Sequence, residues 1–234
     1  MVTGAAQPAA ERPDARVLVD PRAWAAAAGL AHVVFVIAWL VAPWWQGPTY
    51  SALAHSISDM YADGAPGGLV LVVVLTLCGI TCVGFAAFSL RPALGAAGWT
   101  APAGWVLLAL SIYGLGDVLT PFERLACRQA DAGCTPQAQL GTLGGVLDTI
   151  LSTFGVLLFL GACFFLAAAA RRVPGWRWLV VPMRVAGALT LVLFLATGLL
   201  GVAHLAGLGE RLLAATGAAT IVLLALGVRR APRS

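Results

Sequence analysis

The chain has 234 residues, of which 60% are hydrophobic and only 10% charged. A soluble domain carries about 25% charged residues, so this chain cannot coat a globule with polar side chains, and its solvent is largely lipid. The formal net charge of +4 does not point to nucleic acid, because the basic residues flank apolar segments, where membrane topology accounts for them.

The first 22 residues mix Pro, Ala and both signs of charge, and read as a mobile cytoplasmic tail. An apolar run over 23–41 follows. A secretory signal peptide is the alternative. The preceding tail is long and contains acids, and the run ends in Pro43-Trp44-Trp45, an interfacial aromatic pattern that fits a retained helix. Further apolar runs fall at 67–90, 101–119, 146–170, 178–200 and 207–228. Each meets or approaches the roughly 20 residues that hydrocarbon thickness requires. None alternates as a membrane strand would, and backbone groups in lipid must be satisfied within the segment. The fold class is all-α, a bundle of six transmembrane helices over 23–228, with a short basic cytoplasmic tail over 229–234.

Orientation follows from the arginines, which supply all fourteen basic residues. Arg12, Arg16, Arg22, Arg91, Arg171, Arg172, Arg177, Arg184, Arg229, Arg230 and Arg233 fall on one side, and Arg124, Arg128 and Arg211 on the other. The arginine-rich side is expected in the cytoplasm with both termini, the chain in the plasma membrane, and the first, third and fifth loops outside. Cys127 and Cys134 lie in the third loop. An oxidising exterior favours a disulfide between them over two free thiols. Cys78, Cys82 and Cys163 lie within apolar runs and read as small packing residues.

Ionisable groups at membrane depth are functional candidates, and here they converge on the outer side. Asp117 ends the third run and Asp148 begins the fourth. The first loop adds His55, Ser56, Ser58, Asp59, Tyr61 and Asp63, the third adds Glu123 and Arg124, and the fifth adds His204, Glu210 and Arg211. The plain reading is that loops are polar because they touch water, with Asp59 or Asp117 capping a turn and Arg124 or Arg211 pairing for structure. The sharper reading is an outward pocket, with Ser58, Asp59, Asp117, Asp148, His204 and Arg211 as ligand-binding candidates. Its oxygen and imidazole groups suit a cationic lipid headgroup, a small ligand or one divalent metal held by Asp59, Asp117, Asp148 and His204. His32 sits mid-run and is expected to hydrogen-bond a neighbouring helix; Arg184 snorkels to the surface.

Motifs that license a named reaction are missing: no phosphate loop, no HExxH pair and no GxSxG elbow occurs. The two halves show no matching Gly/Pro interruptions of the kind that mark alternating-access transporters. No cofactor is expected. The leading reading is a membrane protein of unassigned activity that binds a lipid headgroup, small ligand or protein partner on its outer face. The alternatives are a metal-dependent hydrolase and a small transporter.

Several short motifs occur in a fixed order. They are Ser58-Asp59-Met60-Tyr61-Ala62-Asp63-Gly64, then Thr120-Pro121-Phe122 followed by Cys127 and Cys134. Next comes Gly141-Thr142-Leu143-Gly144-Gly145-Val146-Leu147-Asp148, and last Gly207-Leu208-Gly209-Glu210-Arg211. This order resembles the uncharacterised prokaryotic membrane family known as domain of unknown function 998, over roughly residues 23–228. The resemblance implies six spans and names no activity. The chain departs from the family pattern in the order Pro121-Phe122, and in Asp148 where the resemblance implies a histidine. The Ser-Asp element also looks like one in the eukaryotic Frag1/DRAM/Sfk1 membrane group, a weaker similarity.

Overall fold

A computed structural model describes residues 20–231. The expected tail up to residue 19, with Arg12 and Arg16, and Arg233 at the other end lie outside the described residues. Six helical spans are long and apolar enough to cross a membrane: α1 (Pro21–Trp45), α2 (Gly68–Ala97), α3 (Thr100–Phe122), α4 (Leu143–Arg172), α5 (Pro174–Val202) and α6 (Ala206–Arg230). Among the described residues there is no strand. The expected runs are all present, and most extend by a few residues at their ends.

The extensions have local causes. α1 starts at a proline directly after Asp20, whose side chain accepts from the Arg22 amide, the usual chemistry of a helix start. α4 starts three residues before the apolar run does, because the Thr142 hydroxyl accepts the Gly145 amide at 3.2 Å. A polar cap of this kind is invisible to hydropathy. At the other end, Arg171 and Arg172 close α4 and Arg229 and Arg230 close α6, so the helix continues into the first two residues of the expected basic tail. Cations there complement the negative end of the helix dipole.

Each helix packs on its neighbours in sequence, and α6 returns to pack on α1, so the six form a closed ring. The two halves of the ring are filled differently. At the arginine-rich end Phe85, Leu94, Leu108, Phe159, Leu166, Trp176, Met183 and Ile221 belong to one continuous core. A smaller cluster of Phe35, Trp39, Met60, Leu71 and Leu75 lies under the first loop. The loop-end half between α3, α4, α5 and α6 holds a cavity instead.

α3 is broken at mid-membrane depth. Its α-helix ends at Leu110, Ser111 is extended, and a wide π-turn over Ile112–Gly116 restarts the helix. The Ser111 hydroxyl donates to the Leu108 carbonyl at 2.7 Å, and the amides of Gly114 and Gly116 both donate to the Ser111 carbonyl. Non-helical backbone at this depth is tolerated only where protein buries it. Three glycines on three other helices do that. A Cβ on Gly79 of α2 would strike the α3 backbone at Gly114 and Val118, one on Gly155 of α4 would lie 2.7 Å from the Ile112 nitrogen, and one on Gly217 of α6 would overlap the Tyr113 ring. The break starts at a serine, but glycine shapes the turn that follows: a Cβ on Gly114 would strike the Ala109 carbonyl oxygen.

The first and third loops interlock over the loop end. Gln46 donates to the carbonyls of Met60 and Pro66. Arg128 donates to the Gln46 carbonyl at 2.8 Å. Arg124 donates to the carbonyls of Tyr61 and Ala62 and pairs with Asp63 at 3.1 Å. Cys127 and Cys134 form a disulfide, and Cys78, Cys82 and Cys163 are buried free thiols. His32 departs from expectation: its Nδ1 meets the Ala28 carbonyl of its own helix at 2.8 Å, not a neighbouring one.

Candidate functional site

The loop-end cavity has a volume of about 380 Å³, and all six helices contribute to its wall. Its acids are Asp117 from α3, Glu123 just beyond α3, Asp148 near the start of α4 and Glu210 from the first turns of α6. Among the described residues no basic side chain lines it. Hydroxyls come from Ser58, Tyr61, Tyr113, Ser152, Thr153 and Thr197, and Phe35, Leu75 and Phe194 are among its apolar walls.

The chain reaches this geometry by local means. The π-turn of α3 carries Tyr113 inward, where its ring meets Phe159 edge-on at 4.7 Å and its hydroxyl donates to the Leu213 carbonyl at 2.8 Å. Asp117 follows directly after that turn. On α4, Asp148, Ser152 and Val156 are four apart and share one face. On α6, Ala206, Glu210, Leu213 and Ala214 do the same. Glu210 is anchored by the amide of Ile57, which donates to Oε2 at 3.0 Å.

Electrostatics make the site unusual. Asp117 is only 6% exposed, and its Oδ2 is buried without a hydrogen-bond partner among the described residues. An unsatisfied buried polar atom carries a desolvation cost on the order of 1–3 kcal/mol. Glu123, also buried, has its carboxyl pushed up to about 7 by burial, with the Thr120 hydroxyl pulling the other way. Burial likewise raises the Tyr61 phenol well above its ordinary value, so it stays a hydrogen-bond donor at neutral pH.

The wall is incomplete beside α5. The buried residues of that helix end at Leu193. Beyond it Thr197 lines the cavity while remaining exposed. A Cβ on Gly198 or Gly201 would meet nothing within 4 Å. The far half of α5 is thus largely exposed, although Leu200 still packs against Gly209 of α6.

The six expected ligand-binding residues divide. Ser58, Asp117 and Asp148 line the cavity. Asp59 is buried nearby, but its carboxylate is taken up by the third loop: the Gln129 amide donates to Oδ1 at 2.6 Å and the Ala130 amide to Oδ2 at 3.3 Å. Burial raises this carboxyl and those two amides draw it back. Arg211 turns away from the cavity and donates to the His55 carbonyl at 2.8 Å and to the Tyr50 hydroxyl at 2.6 Å, which pins the first loop to α6. His204 sits exposed in the turn between α5 and α6, with a positive φ of 56°. Among the described residues no three His, Cys, Asp or Glu side chains converge as a metal-ligand set. Glu123 and Glu210 are the acids that sequence reading left among the loop groups. The helical spacing of Ala206, Glu210 and Leu213 is the signal that marks Glu210.

A family model described as a protein of unknown function (DUF998) matches residues 25–227. No curated protein and no solved structure matches the chain.

Proposed function

This chain belongs to that family of unknown function, and from its own geometry we propose that it is a membrane protein whose loop-end cavity binds the amine-bearing headgroup of a lipid. The observation that carries the reading is one cavity lined, among the described residues, by four carboxyl groups and no basic group, with an Asp117 oxygen that has no partner there. Like charges held together in a poorly solvated space favour a counter-cation. Charged groups inside membrane bundles characteristically pair with one another or line substrate paths. An ammonium group with hydrogen-bonding neighbours satisfies the acids and uses the hydroxyls of Ser58, Ser152 and Thr153. Thr197 lines the cavity, is exposed, and lies on a helix long and apolar enough to cross a membrane, which favours a lipid over a water-soluble amine. The arginine distribution supports a plasma-membrane protein with cytoplasmic termini and this cavity outward.

Transport would need a path through the other half, and that half is filled by Trp176, Phe159, Leu166 and Met183. A metal-dependent hydrolase would need ligands to converge, whereas Asp59 and His204 stand away from Asp117 and Asp148.

The test uses the full chain in nanodiscs of mixed phosphatidylethanolamine and phosphatidylcholine. Retained lipid is measured by native mass spectrometry for the wild type, Asp117→Asn and Glu210→Gln. Preferential retention of phosphatidylethanolamine, lost in both variants, is expected. Equal retention of both lipids in all three proteins would overturn the reading. Elemental analysis of the same samples, with Asp148→Asn as control, covers the alternative: a stoichiometric metal lost in that variant would put the hydrolase first.

A further inference from the structure

The arginine-rich end carries a second, separate site. A shallow, open cleft lies there, lined by the exposed Arg171 at the end of α4, the exposed Arg177 in the first turns of α5, and Val180 and the exposed Arg184 one turn apart further along α5. What distinguishes these arginines is the company they lack. At the same end Arg22 donates to the Ala231 carbonyl at 3.0 Å and Arg172 to the Ala97 carbonyl at 2.8 Å. Arg91 lies over the Trp105 ring and Arg230 over the Trp178 ring. Among the described residues Arg171, Arg177, Arg184 and Arg229 have no such partner, and three of these four share the one cleft. Membrane topology accounts for arginines at this end, but not for their sorting into engaged ones and a convergent unpaired trio.

We infer that this cleft binds the phosphate of an anionic phospholipid. Three guanidiniums gathered with no carboxylate among the described residues of the cleft repel one another, and a phosphate relieves that repulsion. Each guanidinium presents a planar fork that matches two phosphate oxygens. The lipid source follows from what borders the cleft. On the next face of α5, Val181 and Val185 are 66% and 58% exposed. Leu189, Val192 and Leu195 continue that exposed apolar stripe along the helix. A headgroup seated among the arginines thus has a track for its acyl chains leading directly away from it. A basic recess between membrane helices near a cytoplasmic surface is a known form of anionic-lipid site. The inference does not depend on the loop-end cavity, which is lined by different residues at the opposite end.

The experiment places the full chain in nanodiscs of mixed phosphatidylglycerol and phosphatidylcholine and counts phosphatidylglycerol retained on gentle extraction. The cleft variant is Arg171→Gln with Arg177→Gln and Arg184→Gln. Its control removes the same charge outside the cleft, with Arg22→Gln, Arg229→Gln and Arg230→Gln. Each cleft arginine is worth roughly fivefold in retention, so the cleft variant should lose most of the lipid while the control keeps it. Equal losses in both variants would mean diffuse attraction and would overturn the inference. Protection against thermal unfolding by inorganic phosphate alone, matching that by phosphatidylglycerol, would overturn the lipid source. If the triple variant does not insert, Arg177→Lys and Arg184→Lys keep the charge and lose the fork. Each should then reduce retention severalfold, and wild-type retention in both would equally refute the site.

Discussion

The amide of Gln129 donates to the carboxylate of Asp59 at 2.6 Å, joining a first-loop acid to a third-loop backbone 70 residues away. The same carboxylate takes the Ala130 amide, and Gln139 braces the arrangement by donating to the Cys127 carbonyl at 2.8 Å. Asp59 therefore holds the disulfide-closed segment down over the loop end. Replacing it with alanine leaves the buried Ala130 amide unsatisfied and takes the partner from the amide of the exposed Gln129, at a cost of about 1.5–3 kcal/mol. For a chain of this length that lowers the unfolding midpoint by roughly 5 °C. A thermal scan of Asp59→Ala in detergent checks this, and an unchanged midpoint would show that the carboxylate carries no structural weight.

The glycine cradle around the α3 break makes a graded prediction. Gly79→Ala and Gly155→Ala push a methyl group into α3 backbone, and over-packing of this kind costs about 1–3 kcal/mol. Gly198→Ala has open space and should be neutral or slightly stabilising. Yields and unfolding midpoints of the three variants, measured side by side, should separate into those two classes.

The raised Glu123 carboxyl sets a pH dependence. The folded chain holds that proton up to about 7, whereas an ordinary glutamate releases it near 4.5. Its contribution to stability is fully present below the ordinary value and is lost as pH rises through the folded one. Glu123→Gln should match the wild type at low pH and unfold at a higher temperature above neutrality. A constant difference across that range would refute the assignment. Amine binding should move oppositely, tightening as pH rises past 7 because the carboxylate forms, and the variant should flatten that response.

Sidedness has its own test. After reduction, an impermeant thiol reagent applied to intact cells should label Cys127 and Cys134. The buried thiols of Cys78, Cys82 and Cys163 should stay unlabelled. Labelling of the loop cysteines only after lysis would place the loop end inside.

The six spans were legible because bilayer thickness imposes long apolar runs, and no other arrangement of this chain satisfies its backbone in lipid. Helix starts were less so, as Thr142 shows, because a cap is a single polar contact. Of the cavity acids, Asp117 and Asp148 stood out as charges at the edges of apolar runs. Glu210 did not, since it lies with His204 and Arg211 around the start of the 207–228 run and reads there as one of the loop groups. Asp59 and Arg211 illustrate the converse. Both are buried charges, yet backbone carbonyls and amides from distant loops consume them, and such partners leave no trace in local spacing. The break at Ser111 continues into a turn carrying Gly114 and Gly116, and it is stabilised by contacts on three other helices.

The ring closes where α6 meets α1, and the Arg22 guanidinium bonds the Ala231 carbonyl at that seam. The first and last helices are thus neighbours in space at the same end. In such a ring no helix is privileged as the beginning. A chain with these ends tied by a short linker and cut at Val173, between α4 and α5, would start with α5 and finish with α4. Every helix would keep its neighbours and direction, and both new termini would stay at the arginine-rich end. Circular permutation is therefore open to this membrane domain, and with it a history in which helix order was rearranged while the architecture stayed the same.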